Sequence, residues 1–142
     1  MIYFIECKLP KGVKNRHKRA LIKIGYTKNL DNRLRKIQTD NPFPLKVVFT
    51  LEGFEESEKG LHEYFKKCHV KGEWFRARPT IIQCIADAKN ADIEVKNVQE
   101  FITVCNKLRL KRAYDRGEKN DTKKVLRSRI DKNYGYEKLK EF

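Results

Sequence analysis

Ala20-Leu21-Ile22-Lys23-Ile24-Gly25-Tyr26-Thr27 sets the architecture of the chain. It is short, apolar and rich in β-forming residues, so it is expected to be a strand. Lys23 interrupts it between two isoleucines. Gly25 follows, and a backbone without a side chain lets a neighbour or a substrate come close. On either side of it, Met1-Ile2-Tyr3-Phe4-Ile5-Glu6-Cys7 and Lys46-Val47-Val48-Phe49-Thr50-Leu51 read as strands for the same reason, which gives one small three-stranded sheet. The first two strands are joined by residues 8–19, a connection with Pro10, Gly12 and Asn15 as turn formers that is too long for a tight hairpin. It carries Lys8, Lys11, Lys14, Arg16, Lys18 and Arg19 and no acid.

Helical periodicity takes over after Thr27. Thr27 or Asn29 can cap a helix with Leu30, Leu34 and Ile37 at i, i+4 and i+7, ending before Pro42. A second helix starts near Phe54 or Glu55, with Leu61, Tyr64, Phe65 and Cys68 at helical spacing, and Gly72 closes the segment after it. Pro79 suits a first helical position, and Ile81, Ile82, Ile85 and Ala88 continue a third helix to about Lys89. Composition shifts near Asn90, which divides the chain into residues 1–91 and a basic extension, 92–142. Val95, Val98, Phe101, Ile102, Cys105 and Leu108 in that extension suit an amphipathic helix that packs on something.

The chain has 142 residues, a length for one core and a modest appendage. Hydrophobic residues make up 39%, enough for a folded domain. Against 19 acids stand 33 Lys and Arg, a formal +14, so the surface attracts polyanions and nucleic acid is the leading partner. No apolar run approaches the roughly 18 residues of a membrane span, and the start lacks the features of a signal peptide, so an intracellular protein is expected. Cys7, Cys68, Cys84 and Cys105 form no CxxC pair and read as reduced, packed thiols. A zinc site using Cys68, His69 and a distant cysteine is the sharper alternative, but it lacks the close ligand pair of a structural site.

Four polar residues break the apolar pattern. Along the second helix Phe54, Glu58, Leu61 and Phe65 fall at i, i+4, i+7 and i+11, which puts one carboxylate inside an apolar stripe. Such an acid costs several kcal/mol unless it is paired or holds a cation. Arg33 borders the inward face of the first helix, where a guanidinium serves either that carboxylate or a phosphate. Tyr3 and Lys23 come from the first two strands. Each residue lies on a different element, and together they look like a site.

These residues carry a resemblance. Ile2-Tyr3, then Ile24-Gly25, then Arg33 on a helix and Glu58 on the next resemble the GIY-YIG nuclease superfamily. More closely, Ile22-Lys23-Ile24-Gly25-Tyr26-Thr27, Ile37-Gln38-Thr39-Asp40-Asn41-Pro42, Leu61-His62-Glu63 and Gly72-Glu73-Trp74-Phe75 are similar to its branch found in many phage and some fungal meiotic proteins. The match spans residues 1 to about 85. It implies an α+β fold, a mainly antiparallel sheet flanked by helices, and a DNA endonuclease using one divalent cation, Mg²⁺ or Mn²⁺. Tyr3 would activate or position the attacking water, Glu58 would hold the metal, and Arg33 would bind the phosphate. A tyrosine with the usual pKa near 10 needs a nearby cation to act as a base, and Lys23 is the expected one. The family's first glycine is Met1 here and its second tyrosine is Lys23. Its late asparagine has no evident counterpart, with Glu73 and His62 as candidates for that space; Tyr26 is expected along the substrate path.

DNA contacts are expected from Lys11, Lys14, Arg16, Lys18 and Arg19 in the basic loop and from Lys111, Arg112, Lys123 and Lys124 in the extension. RNA ranks below DNA as a partner. A homodimer is one way for a single-metal site to break both strands. The rival reading is a protein that keeps the scaffold and the basic surface but does not cut, such as a repressor.

Overall fold

A computed structural model describes residues 1–10 and 20–117 of the chain. The expected DNA-contacting residues Lys11, Lys14, Arg16, Lys18, Arg19, Lys123 and Lys124 lie outside the described residues. The described elements are β1 (Ile2–Cys7), β2 (Leu21–Tyr26), α1 (Leu30–Thr39), β3 (Leu45–Leu51), α2 (Glu55–Tyr64), a 3-10 turn (Lys66–Cys68), β4 (His69–Lys71), β5 (Trp74–Arg76), α3 (Pro79–Lys89) and α4 (Val98–Asp115).

The sheet has five strands in the order β3-β1-β2-β5-β4, every pairing antiparallel. The expected α+β class is thus observed, but the count of three strands is corrected to five. Strands β4 and β5 have only three residues each, too few to set up a period-two pattern in the sequence. They are joined through Gly72, whose φ of 57° is the left-handed conformation that glycine adopts without steric cost.

Strand β1 lies inside the sheet between β3 and β2, and Ile2, Tyr3, Phe4 and Ile5 are all fully buried, so both faces of the sheet are covered there. On one face Phe4 and Phe49 stack against Phe101 of α4 at 5.3 and 5.8 Å between ring centroids, within a core that also takes in Ile22, Ile24, Leu61, Phe65 and Phe75. Helix α4 therefore closes the same core as β1 and α2, and its Arg112 fastens it to the buried Asp87 of α3 through both guanidinium Nη atoms. The other face carries Tyr3 and Ile5 with their cross-strand partners Gly25 and Lys23, because side chains alternate along a strand.

Helix α1 lies over that second face, with Leu30, Arg33, Leu34 and Ile37 partly buried. Asn29 caps it by accepting a hydrogen bond from the Asn32 N–H at 3.1 Å. Helix α2 begins at Glu55, and here helical spacing fails for one residue. Phe54 is 75% exposed and does not join the apolar stripe of Leu61 and Phe65. It is the N-cap, with an extended backbone (φ −104°, ψ 175°), so the 3.6-residue period does not reach it. Its N–H donates to Ser57 Oγ at 3.4 Å and its carbonyl accepts the Ser57 N–H at 3.0 Å.

Candidate active site

The local sequence around Gly25 makes the site possible. Tyr3 and Gly25 stand directly opposite on β1 and β2, and the phenol lies flat across the glycine. A Cβ at position 25 would come within 2.5 Å of Tyr3 Cζ and closer still to its hydroxyl, so only glycine leaves room for this ring. Arg33 reaches down from α1 and donates from Nε to the Tyr3 hydroxyl at 3.2 Å. The Arg33 side chain is 40% exposed.

The β4–β5 turn supplies the next group. The Glu73 carbonyl accepts the Ile24 N–H at 3.0 Å, extending the β2–β5 pairing by one bond and fixing where this residue stands. Its Oε2 lies 2.8 Å from Lys23 Nζ and 4.0 Å from Arg33 Nη2. That oxygen is buried and receives no well-directed hydrogen bond, so the Lys23 contact is an ion pair in distance without the angle of a donated bond. Lys23 also sits 5.2 Å from the centroid of the Trp74 ring, its cross-strand neighbour.

Helix α2 completes the cluster. Glu58 is only 15% exposed, lies near the Tyr26 backbone N–H, which favours its ionised form, and has His62 Nε2 at 3.4 Å from Oε1. The same His62 nitrogen is 2.9 Å from the Ile24 carbonyl. A carbonyl can only accept, so Nε2 carries a proton and is a donor here, not a metal ligand. Burial raises the pKa of Glu58, and the neighbouring Glu73 carboxylate, close enough to share a hydrogen bond, raises it further against the opposing pull of His62.

The structure thus brings Tyr3, Lys23, Arg33, Glu58, His62 and Glu73 into one continuous polar cluster, with the Tyr26 backbone beside Glu58. The cation that touches the phenol is Arg33; Lys23 is engaged with Glu73 and Trp74. Burial raises the Tyr3 pKa above its usual value, and Glu73 and Glu58 add to that against the lowering effect of the Arg33 hydrogen bond. Tyr3 therefore holds its proton at neutral pH. Arg112, expected at a DNA surface, has its guanidinium committed to Asp87, whereas Lys111 lies on the same helix without such a bond among the described residues.

Two carboxylates facing each other, one inside an apolar stripe and one with a buried, poorly satisfied oxygen, suit a hard divalent cation that would relieve their repulsion. No His, Cys, Asp or Glu among the described residues forms a ready three-ligand cluster. Mg²⁺ does not need one, since it is commonly held by one or two carboxylates plus substrate phosphates and water. The four cysteines are free and buried.

Fold and site together define a small basic α+β protein whose centre mixes two acids, two fixed cations and a buried phenol at the end of a central β-hairpin. The chain belongs to the T5orf172 domain family, whose model matches residues 1–106. Membership is compatible with a nuclease-like or DNA-binding function. No curated protein and no solved structure matches the chain. No helix among the described residues is long and apolar enough to cross a membrane.

Proposed function

We propose that this protein is a metal-dependent DNA endonuclease of GIY-YIG type that hydrolyses phosphodiester bonds with one divalent cation. One observation carries the reading: the Glu58 carboxylate is turned inward, beside a second carboxylate, in the same cluster as Tyr3, Arg33 and Lys23. A helix normally turns its acids to water, and Glu55, Glu56 and Glu63 of α2 are exposed.

Glu58, with Glu73 beside it, would hold Mg²⁺ or Mn²⁺, which when bound supplies charge stabilisation for the phosphate oxygens and the leaving oxygen. Arg33 keeps Nε on Tyr3, and its partly exposed side chain would offer the two Nη groups to the phosphate, the pair suited to bidentate recognition. Tyr3 retains its proton and works as a hydrogen-bond donor that orients the attacking water; Arg33 holds the ring oxygen in place while it does so. Lys23 neutralises Glu73 and keeps that carboxylate from repelling the incoming backbone.

The second reading, a DNA-binding protein of the same scaffold that does not cut, is favoured by one feature: the Tyr3 side chain is fully buried. Nicking of supercoiled plasmid with Mg²⁺ or Mn²⁺ separates the two. The nuclease reading expects cleavage that Glu58→Gln abolishes while DNA binding persists. Tight, salt-sensitive binding with no cleavage by the wild-type chain favours the rival.

A further inference from the structure

We propose that the cleft at the β2–α1 turn is a binding site for one DNA backbone phosphate, the neighbour on the same strand of the phosphate held by Arg33. The cleft has a volume of about 400 Å³ and opens beside the Tyr3–Arg33 pair, because Arg33 lines both. Its other cations are Lys28 and Lys36; Asn29 and Asn32 supply polar edges, Tyr26 an aromatic one, and no carboxylate lines it. Lys28 and Lys36 are exposed and form no ion pair among the described residues. Lys28 and Lys36 come together there without a counter-ion, beside Arg33, whose Nη2 has its carboxylate neighbour, Glu73 Oε2, at 4.0 Å; the uncompensated lysines repel one another and the arginine, and a bound anion removes that repulsion.

The walls are fixed in advance. Thr27 Oγ1 donates to the Asn29 carbonyl and accepts the Asn29 N–H, both at 3.1 Å, and the Thr27 N–H donates to the Met1 carbonyl at 3.0 Å, which ties the turn to the start of the sheet. The Asn29 side chain is already spent on capping Asn32. The ligand is therefore met by lysine and arginine side chains and not by the bare end of the helix. A nucleic-acid strand crossing Arg33 presents successive phosphates, one at Tyr3 and one at the lysines.

The inference rests on the nuclease reading only in taking the Arg33 phosphate as the one to be cut, so the test reads binding alone. The full chain carrying Glu58→Gln is titrated with a short DNA duplex by fluorescence anisotropy over a range of salt, without divalent metal. Adding Lys28→Gln and Lys36→Gln together, at exposed positions where folding is little affected, is expected to lower the slope of log affinity against log salt by about 0.9, the share of one phosphate. The parent's advantage then shrinks about threefold between 50 and 200 mM salt. Lys89→Gln on α3 leaves the slope unchanged. A set of duplexes, each with a single neutral methylphosphonate, should contain one position that weakens the parent and adds nothing to the lysine variant.

An unchanged slope in the lysine variant, a loss equal to that of Lys89→Gln, or the absence of any such position overturns the proposal. If the lysine variant loses slope and the methylphosphonate position is found, but the wild-type chain fails to cut DNA, the cleft remains a phosphate site and only the nuclease reading falls. A parent that binds no duplex at any salt overturns both.

Discussion

Replacing Gly25 by alanine tests the packing on which the site is built. The added Cβ would stand 2.5 Å from Tyr3 Cζ, where carbon atoms prefer about 3.5–4.0 Å, so the overlap is about 1 Å. The ring cannot easily slide away. Tyr3 is fully buried, and β1 is hydrogen-bonded to β2 on one side and β3 on the other. Overpacking of this kind costs about 1–3 kcal/mol, and the Ala side chain returns about 0.4–1 kcal/mol by restricting the unfolded chain. A net loss of about 1 kcal/mol lowers the melting temperature by about 2–4 °C, the shift per kcal/mol typical of a domain near 150 residues. Tyr3→Phe removes the hydroxyl, the atom nearest the new methyl, so Gly25→Ala should cost less in that background, with a coupling of about 0.5 kcal/mol or more. Thermal and urea denaturation of the four proteins measures this. A Gly25→Ala variant within about 0.5 kcal/mol of wild type, or strict additivity with Tyr3→Phe, would show that the ring does not depend on a bare backbone at position 25.

Other substitutions test the electrostatics. Glu58 has a folded-state pKa above its unfolded value, so the folded chain binds its proton more tightly, and stability is lost as pH rises from the unfolded carboxylate value, about 4.3, through the raised one. Glu58→Gln should therefore raise the melting temperature at pH 7, with a gain that fades toward pH 4; a gain independent of pH would count against this. Arg112→Ala leaves Asp87, 6% exposed, facing only Gln83 Nε2 at 3.0 Å, and should cost about 3 kcal/mol. Asp87→Asn should cost less, because Arg112 is 41% exposed and can turn to water; equal costs in urea melts would deny that asymmetry. Phe54→Ala should leave stability within about 0.5 kcal/mol, whereas the fully buried Leu61→Ala loses about 2–5 kcal/mol by the same assay. Arg33→Ala should slow DNA cleavage about a hundredfold or more in single-turnover assays.

Much of this arrangement is legible in the chain because one rule repeats: a polar residue at an apolar phase of its element has to meet something. That rule marks Glu58 on α2, Arg33 on α1 and Lys23 on β2, and these residues converge. Gly25 reads as a point of close approach, and the neighbour is Tyr3. Extended to α3, the same rule singles out Asp87, three residues after Cys84 and one before Ala88 on the buried face. Applied there, it points to a partner such as Arg112 and removes that arginine from the expected DNA contacts. Other features have no local signal. Strands β4 and β5 are shorter than the pattern that reveals strands, and they exist because Gly72 turns the chain and Phe75 is buried against Ile22. Phe54 misleads because helical periodicity does not carry across a helix cap. Which cation meets Tyr3 depends on how α1 lies over the sheet, and neither Lys28 nor Lys36 announces a cleft until α1 is seated.

The metal centre itself is put to the test by a crystal of the full chain soaked in Mn²⁺ with a short DNA duplex. One anomalous peak bonded to a Glu58 oxygen is expected, with a DNA phosphate between it and Arg33. A peak on other carboxylates alone, or DNA bound with Glu58 far from any phosphate, would mean that the inward-facing acid does not serve cleavage.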